Sequence, residues 1–199
     1  LNRKIGLLGG TFDPPHTAHL VMASTARDAL TLDRVYLVPS ARPPHKAPEA
    51  VSAFGHRAEM TRIAVRDVEG VEVSLIEAER EGPSWTVSLL SECRSRFGDD
   101  LYFIIGADSL QDLPTWREPQ RVLQLCTLVV FARGRRSLRL PVTGEARVVV
   151  FELPQIDVSS TEIRNRLGHG GDPLPLVPEG VLSYARRHRL YGSGRGGGI

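Results

Sequence analysis

The sequence predicts an α/β protein built on a doubly wound parallel sheet flanked by helices. Three observations carry that reading. Apolar, strand-like runs alternate with amphipathic helical stretches along the whole chain. Most of those runs are continuously apolar, as strands covered on both faces are. The 199 residues suffice for one sizeable core and are too few for two full domains. Strand–helix alternation of this kind implies βαβ crossovers and Rossmann-like layering. One domain is expected over residues 1–191, followed by a disordered glycine-rich tail at 192–199.

Taken in order, strands are expected at residues 4–9, 34–38, 71–74, 101–105, 127–131 and 147–151. Helices are expected at 17–29, 53–66, 86–96, 119–124, 160–167 and 179–187. Helical period is clearest in Val87, Leu90, Cys93 and Arg94, with Phe97 closing the turn. The segment PSARPPHKAP, residues 39–48, holds four prolines after a strand and can be neither helix nor central strand. It reads as a loop at a strand's carboxyl end, where open α/β sheets bind ligands.

Composition excludes several classes. With 41% hydrophobic and 24% charged residues, neither wholesale disorder nor a fibrous repeat fits. No apolar run reaches the ~20 residues of a membrane-spanning helix, and the run at 5–8 stops at two glycines, unlike a signal peptide. Twenty-five basic against 23 acidic residues give a net charge of only +2, which argues against a duplex-DNA binder. Cys93 and Cys126 sit in apolar contexts and read as buried free thiols of a cytoplasmic protein. Only Lys4 and Lys46 are lysines among those 25 basic residues.

The first strand runs into Gly9-Gly10-Thr11-Phe12-Asp13-Pro14-Pro15-His16-Thr17-Ala18-His19. Adjacent glycines let the backbone turn and approach a ligand, and the helix that follows aims free N–H groups at the same place. That combination is a phosphate site. It is not a Walker loop, since no Gly-Lys-Ser/Thr follows, nor a G-x-G-x-x-G fingerprint. His16 and His19 share a face by their spacing. They could be a helix cap plus a surface residue, or a weak metal pair. Two imidazoles beside a glycine turn best suit an anion whose charge grows during reaction.

GGTFDPPHTAH resembles the signature of the nucleotidyltransferase superfamily, whose (H/T)-x-G-H motif grips a nucleotide triphosphate. IIGADSL (residues 104–110), PSWT (83–86), PTWREP (114–119) and VSSTEIR (158–164) are similar to blocks of the bacterial nicotinate-nucleotide adenylyltransferases. Order and spacing match over residues 3–191. One departure is Ala18 where the motif usually has glycine, and a methyl group is expected to crowd the approach to the phosphates modestly.

The distal block makes physical sense as well. Ser159 and Glu162 have capping-box spacing. Two exposed hydroxyls, from Ser159 and Ser160, with a helix N-terminus and Arg164 form either a second anion cradle or an ordinary capped helix. The resemblance implies that this cradle and the His pair hold one triphosphate between them. It also implies ATP contacts from Gly9, Gly10, Thr11, Phe12, Gly106 and Asp108, although Asp108 could instead cap a helix. By the same resemblance Trp116 stacks on a pyridine ring, and Thr86 with the backbone N–H of Arg117 holds the ring's carboxylate. Trp85, Thr11 and Lys46 complete the nicotinate mononucleotide set. Lys46, beside His45, could swing onto the phosphates or stay solvated. Arg133 is a third phosphate candidate, and Arg135 and Arg136 read as a solvated loop.

The implied reaction joins ATP and nicotinate mononucleotide to give deamido-NAD and pyrophosphate, with Mg²⁺ held mainly by the ATP phosphates. His16, His19, Lys46 and Arg164 would supply charge, with no general base and no protein nucleophile. The partners are these small molecules, not nucleic acid or membrane, and a homo-oligomer is left open. The rivals are an adenylyltransferase acting on phosphopantetheine or nicotinamide mononucleotide, and a non-catalytic nucleotide sensor or nucleic-acid-binding protein.

Overall fold

Alternation along each strand decides how this chain folds. In a strand successive side chains face opposite ways. Ile5 and Leu7, Leu101, Phe103 and Ile105, and Leu128 and Val130 enter one apolar cluster; Leu8, Ile104, Val129 and Phe131 enter the other. Both faces are therefore apolar, and helices must cover both.

In a computed structural model, residues 3–98, 100–133, 146–153 and 158–192 are described, without the side chains of residues 48, 133 and 153. The strands β1 (Ile5–Gly10), β2 (Arg34–Pro39), β3 (Val71–Val73), β4 (Leu101–Gly106), β5 (Thr127–Arg133) and β6 (Val148–Leu153) form one sheet. Their order is β3-β2-β1-β4-β5-β6, and every neighbouring pair is parallel. All six expected strands are present. Pro39, expected in the loop, is the last residue of β2, opposite Gly10. A strand's end tolerates proline, because the missing N–H interrupts no ladder beyond it.

The helices are α1 (Thr17–Leu30), α2 (Phe54–Val65), α3 (Thr86–Phe97), α4 (Ala107–Asp112), α5 (Pro119–Leu125), α6 (Ser160–Gly168) and α7 (Glu179–Arg187). Six of them answer to the sequence. The seventh, α4, has 6 residues and follows β4 directly. That is under two turns, too short for a hydrophobic period to register. Helices α1 and α2 cover the face that includes Leu8; α3, α4 and α5 cover the face that includes Leu7. Helices α6 and α7 pack with α2 around Met60, Ile163 and Val181 as a third cluster. No helix among the described residues is long and apolar enough to cross a membrane.

The strand order reverses between β1 and β4, so their carboxyl ends, Gly9–Gly10 and Gly106, open a crevice. Cys93 and Cys126 are free and buried. Burial pushes both thiols up to about 12. The expected tail and the arginines at 135 and 136 lie outside the described residues, except Gly192, which ends a short 3₁₀ turn.

Leu7, with no exposed surface, lies on the central strand β1. Leu7→Ala should cost about 3 kcal/mol and lower Tm by roughly 6–12 °C, read by calorimetry.

Candidate active site

The loop after β1 is built around a buried carboxylate. Asp13 is 1% exposed, and its Oδ1 accepts from the Tyr191 hydroxyl at 2.5 Å while Oδ2 accepts from the Ser52 N–H at 2.9 Å. Burial, then the Asp13 carboxylate, pushes the Tyr191 phenol upward, so it stays a donor. The neighbouring carbonyls are held too. Arg57 donates to Thr11 O at 2.8 Å and to Ser52 O at 2.9 Å; Arg164 donates to Asp13 O at 2.8 Å; the Ser160 hydroxyl donates to Pro14 O at 2.9 Å.

His16 occupies the N-cap of α1 and His19 the N3 position. Their rings stack at 3.7 Å, so the expected pairing forms. The N–H of His16 donates to His19 Nδ1 at 3.2 Å. A nitrogen that accepts carries no hydrogen, so the neutral ring keeps its proton on Nε2. Burial, then the charge of His16, holds the His19 imidazole well below its usual pKa. The expected second cation is therefore a neutral, oriented donor in the ligand-free chain. Phe12 packs edge-on against His19 at 4.9 Å.

Several expected contacts change character. Phe12 is a core residue, 2% exposed, so its ring is not available to ATP. Ala18 packs against the Met60 cluster, and its methyl is occupied there instead of crowding the phosphate approach. The two distal hydroxyls are already engaged. Ser159 caps α6 by accepting from the Glu162 N–H at 3.1 Å, and Ser160 holds Pro14. The return arm of the capping box is missing, because the Glu162 side chain pairs with Arg166 at 2.5 Å. What α6 offers the loop is thus its anchoring hydroxyl and the Arg164 guanidinium. Asp108 sits exposed within the first turn of α4, and Gly106 is the cap. The Arg133 side chain lies outside the described residues.

A cleft of about 280 Å³ opens over the crevice. Gly9, Gly10 and Thr11 floor it, and Lys46, Trp85, Thr86, Trp116 and Arg117 line its walls. All six residues that the sequence assigned to the mononucleotide meet there. Trp116 stands edge-on to Phe103 at 6.2 Å, and the Arg117 guanidinium lies 5.6 Å from the Trp85 ring. Thr86 is the first residue of α3, whose leading N–H groups have no partner within the helix. A Cβ on Gly106 would touch nothing within 4 Å, and on Gly9 only the Phe103 ring at 3.5 Å. Packing does not require glycine at either place, so the backbone there is open to close approach.

Lys46 is exposed, yet partial burial, then the charges of Arg164 and Arg57, hold its ammonium below the usual value against the pull of Asp13. Its loop is laced down. Arg42 N–H donates to Ser84 Oγ at 3.0 Å, Ser84 N–H to Arg42 O at 2.9 Å, and the Arg42 guanidinium to Arg80 O at 2.8 Å. Among the described residues no three His, Cys, Asp or Glu side chains are grouped to hold a metal ion.

Asp13, Arg57, Ser52 and Tyr191 were missed in the sequence. Arg57 had a signal. With Met60, Thr61 and Ala64 it falls on the i, i+3, i+4, i+7 stripe that α2 buries, and a cation on such a stripe needs buried partners.

Comparison with known proteins follows the same lines. The cytidylyltransferase-like family profile matches residues 7–166. A Thermus thermophilus protein named "Probable nicotinate-nucleotide adenylyltransferase" is 44% identical over 189 residues, covering 94% of this chain and 99% of that one. The chain belongs to the nicotinate-nucleotide adenylyltransferase family. A second member, from Roseiflexus sp., is 40% identical over 193 residues, with 94% and 97% covered. The fold is shared with the Plasmodium falciparum nicotinic acid mononucleotide adenylyltransferase complexed with NaAD, at TM-score 0.80 and 19% identity over 95% and 97% of the two chains. In this adenylyltransferase the cleft opens over the glycine turn, while the His pair stacks at the start of α1 and the α6 arginine holds the loop between them through Asp13 O.

The His19 shift has a sign that can be tested. Its folded pKa lies below the unfolded value of about 6.5, so only the unfolded chain gains that proton as pH falls. Stability present above that value is lost as pH drops toward the folded pKa. In melts from pH 7.5 to 5.5, His19→Asn, whose side-chain oxygen can still accept from the His16 N–H, should show a shallower fall in Tm than the wild type.

Proposed function

We propose that this adenylyltransferase transfers AMP from ATP to nicotinate mononucleotide by direct in-line attack, releasing pyrophosphate and deamido-NAD. The observation that carries the reading is the cleft of about 280 Å³, lined by Trp85, Thr86 and Trp116 together with Gly9–Thr11, the turn that leads into the His pair. A flat ring would lie against a tryptophan of this cleft with its phosphate toward the glycine turn, where the α-phosphate of ATP would be held.

The attacking group is a phosphate whose second pKa is about 6, so it is already anionic and needs no base. Catalysis then consists of positioning and charge stabilisation. His19 donates from Nε2 to the phosphoryl oxygens, where charge grows as pyrophosphate leaves. His16, Lys46 and Arg164 add their donors to the same phosphates, and Thr11 with Gly9 and Gly10 lets them approach the backbone. Ser159 and Ser160 act by fixing α6. Gly106 leaves room for the nucleotide along β4, with Asp108 at the opening of α4 available to its ribose.

The site is rich in cations, and Asp13, its buried carboxylate, is fully occupied. Mg²⁺ therefore fits as a partner of the ATP phosphates, where it neutralises charge, and not as a resident of the protein. Two buried free thiols and a substrate pair drawn from the nucleotide pool support a cytoplasmic enzyme.

Acid and amide rings stack alike on Trp116, so discrimination rests on the carboxylate. The Thr86 hydroxyl and the N–H groups of Thr86 and Arg117 are donors, which a carboxylate satisfies and a carboxamide confronts with its own N–H₂. In a pyrophosphate-release assay, nicotinate mononucleotide should be preferred over the amide at least ~100-fold in kcat/KM, within the range such matching supplies. Trp116→Ala should weaken both and leave most of the ratio. Equal efficiencies would exclude the donor pocket.

His19→Ala and His19→Asn should each lower kcat by ~10²–10³ while changing the KM for ATP far less, as loss of one donor to a transition-state oxyanion does. Near-normal turnover in both variants would remove this ring from the mechanism.

A further inference from the structure

Tyr191 lies in the short turn Leu190–Gly192 that follows α7, 178 residues from the loop it touches. Its backbone φ of 61° is in the left-handed region, which an aromatic residue adopts at a cost. Its hydroxyl donates to Asp13 at 2.5 Å and approaches Met60 Sδ at 3.7 Å, and its ring packs on the third apolar cluster. Asp13 in turn is three residues from His16, and both intervening residues are prolines. Proline fixes φ, so this link transmits a displacement of Asp13 to the histidines instead of absorbing it. The other anchors hold the loop by backbone carbonyls; Tyr191 and the Ser52 N–H alone among the described residues grip the Asp13 carboxylate.

We propose that Tyr191 is a positioning residue of the phosphate site: through the Asp13 carboxylate, its hydroxyl sets where the Pro14–Pro15 link delivers His16 and His19. The kinetic part of this inference rests on the adenylyltransferase reading. The structural part does not. Misplacement of a catalytic group by about 1 Å can cost ~10² in rate, so a single hydroxyl suffices for a visible effect.

Tyr191→Phe removes the hydroxyl and keeps the ring. Well below its Tm, it should lose at least ~10-fold in kcat while the KM for nicotinate mononucleotide stays within about twofold, because the Trp85–Trp116 cleft is not anchored by Asp13. The ¹⁵N shifts of the His19 imidazole, read without substrate, should move away from the pattern of an accepting Nδ1 and a protonated Nε2. Met60→Leu, a core change beside the same ring, should lower Tm and leave kcat and the shifts in place. If Tyr191→Phe does not fold, Y191Q and Y191L give the comparison: similar volume, with and without a donor. The glutamine variant should turn over at least about threefold faster at matched stability.

Unchanged kcat in Y191F, a rise in both KM values together, unchanged His19 shifts, or equal turnover of Y191Q and Y191L overturns the proposal and leaves Tyr191 a purely structural clamp. A wild-type chain that releases no pyrophosphate with either mononucleotide overturns the activity reading alone; the nitrogen shifts still decide the positioning.

Discussion

A carboxylate that cannot reach water organises this molecule. Burying Asp13 is tolerable only because each oxygen receives a donor, and those donors come from the segment after the proline loop and the short turn after α7. Arg57 and Arg164 close the same knot through carbonyls on either side. Three stretches far apart in sequence, at 52–57, 160–164 and 191, thereby converge on the segment between β1 and α1. The sheet provides a crevice; this knot gives the crevice a fixed rim.

The rim and the floor use different physics. The floor is set by strand register: Gly9 lies opposite Val38, and Leu8 opposite Ile104, so the ends of β1, β2 and β4 align where the order reverses. That alignment follows from apolar packing on two faces and is insensitive to any single polar group. The rim depends on a few hydrogen bonds in a low dielectric, where each is strong when made and costly when lost. Changes to the floor should therefore appear as stability, and changes to the rim as chemistry.

How far the sequence could be read follows from this division. The six strands, six of the helices and the ligand end of the sheet are written in local apolar runs and in glycine–proline punctuation. Thr11, Lys46, Trp85, Thr86, Trp116 and Arg117 are assigned to the mononucleotide by the family resemblance, not by any local period, and they do meet in one cleft. Helix α4 was too short to show a period. At Ser159 and Ser160 the sequence leaves an anion cradle and an ordinary capped helix both open, since nothing local reveals that Pro14, 146 residues away, takes the second hydroxyl. Asp13 stood inside the quoted motif, but its partners at 52 and 191 are set only by tertiary contact. Polar pairing over such distances leaves no period to detect, except where a cation such as Arg57 interrupts a buried stripe.

The two cysteines carry a different consequence. With both thiols near 12, only about one in 10⁵ is a thiolate at neutral pH, and both sulfurs are walled in. Neither cysteine offers a reactive sulfur to peroxide or to electrophiles while the fold is intact. Modification of either thiol would have to follow local unfolding of the core that covers it.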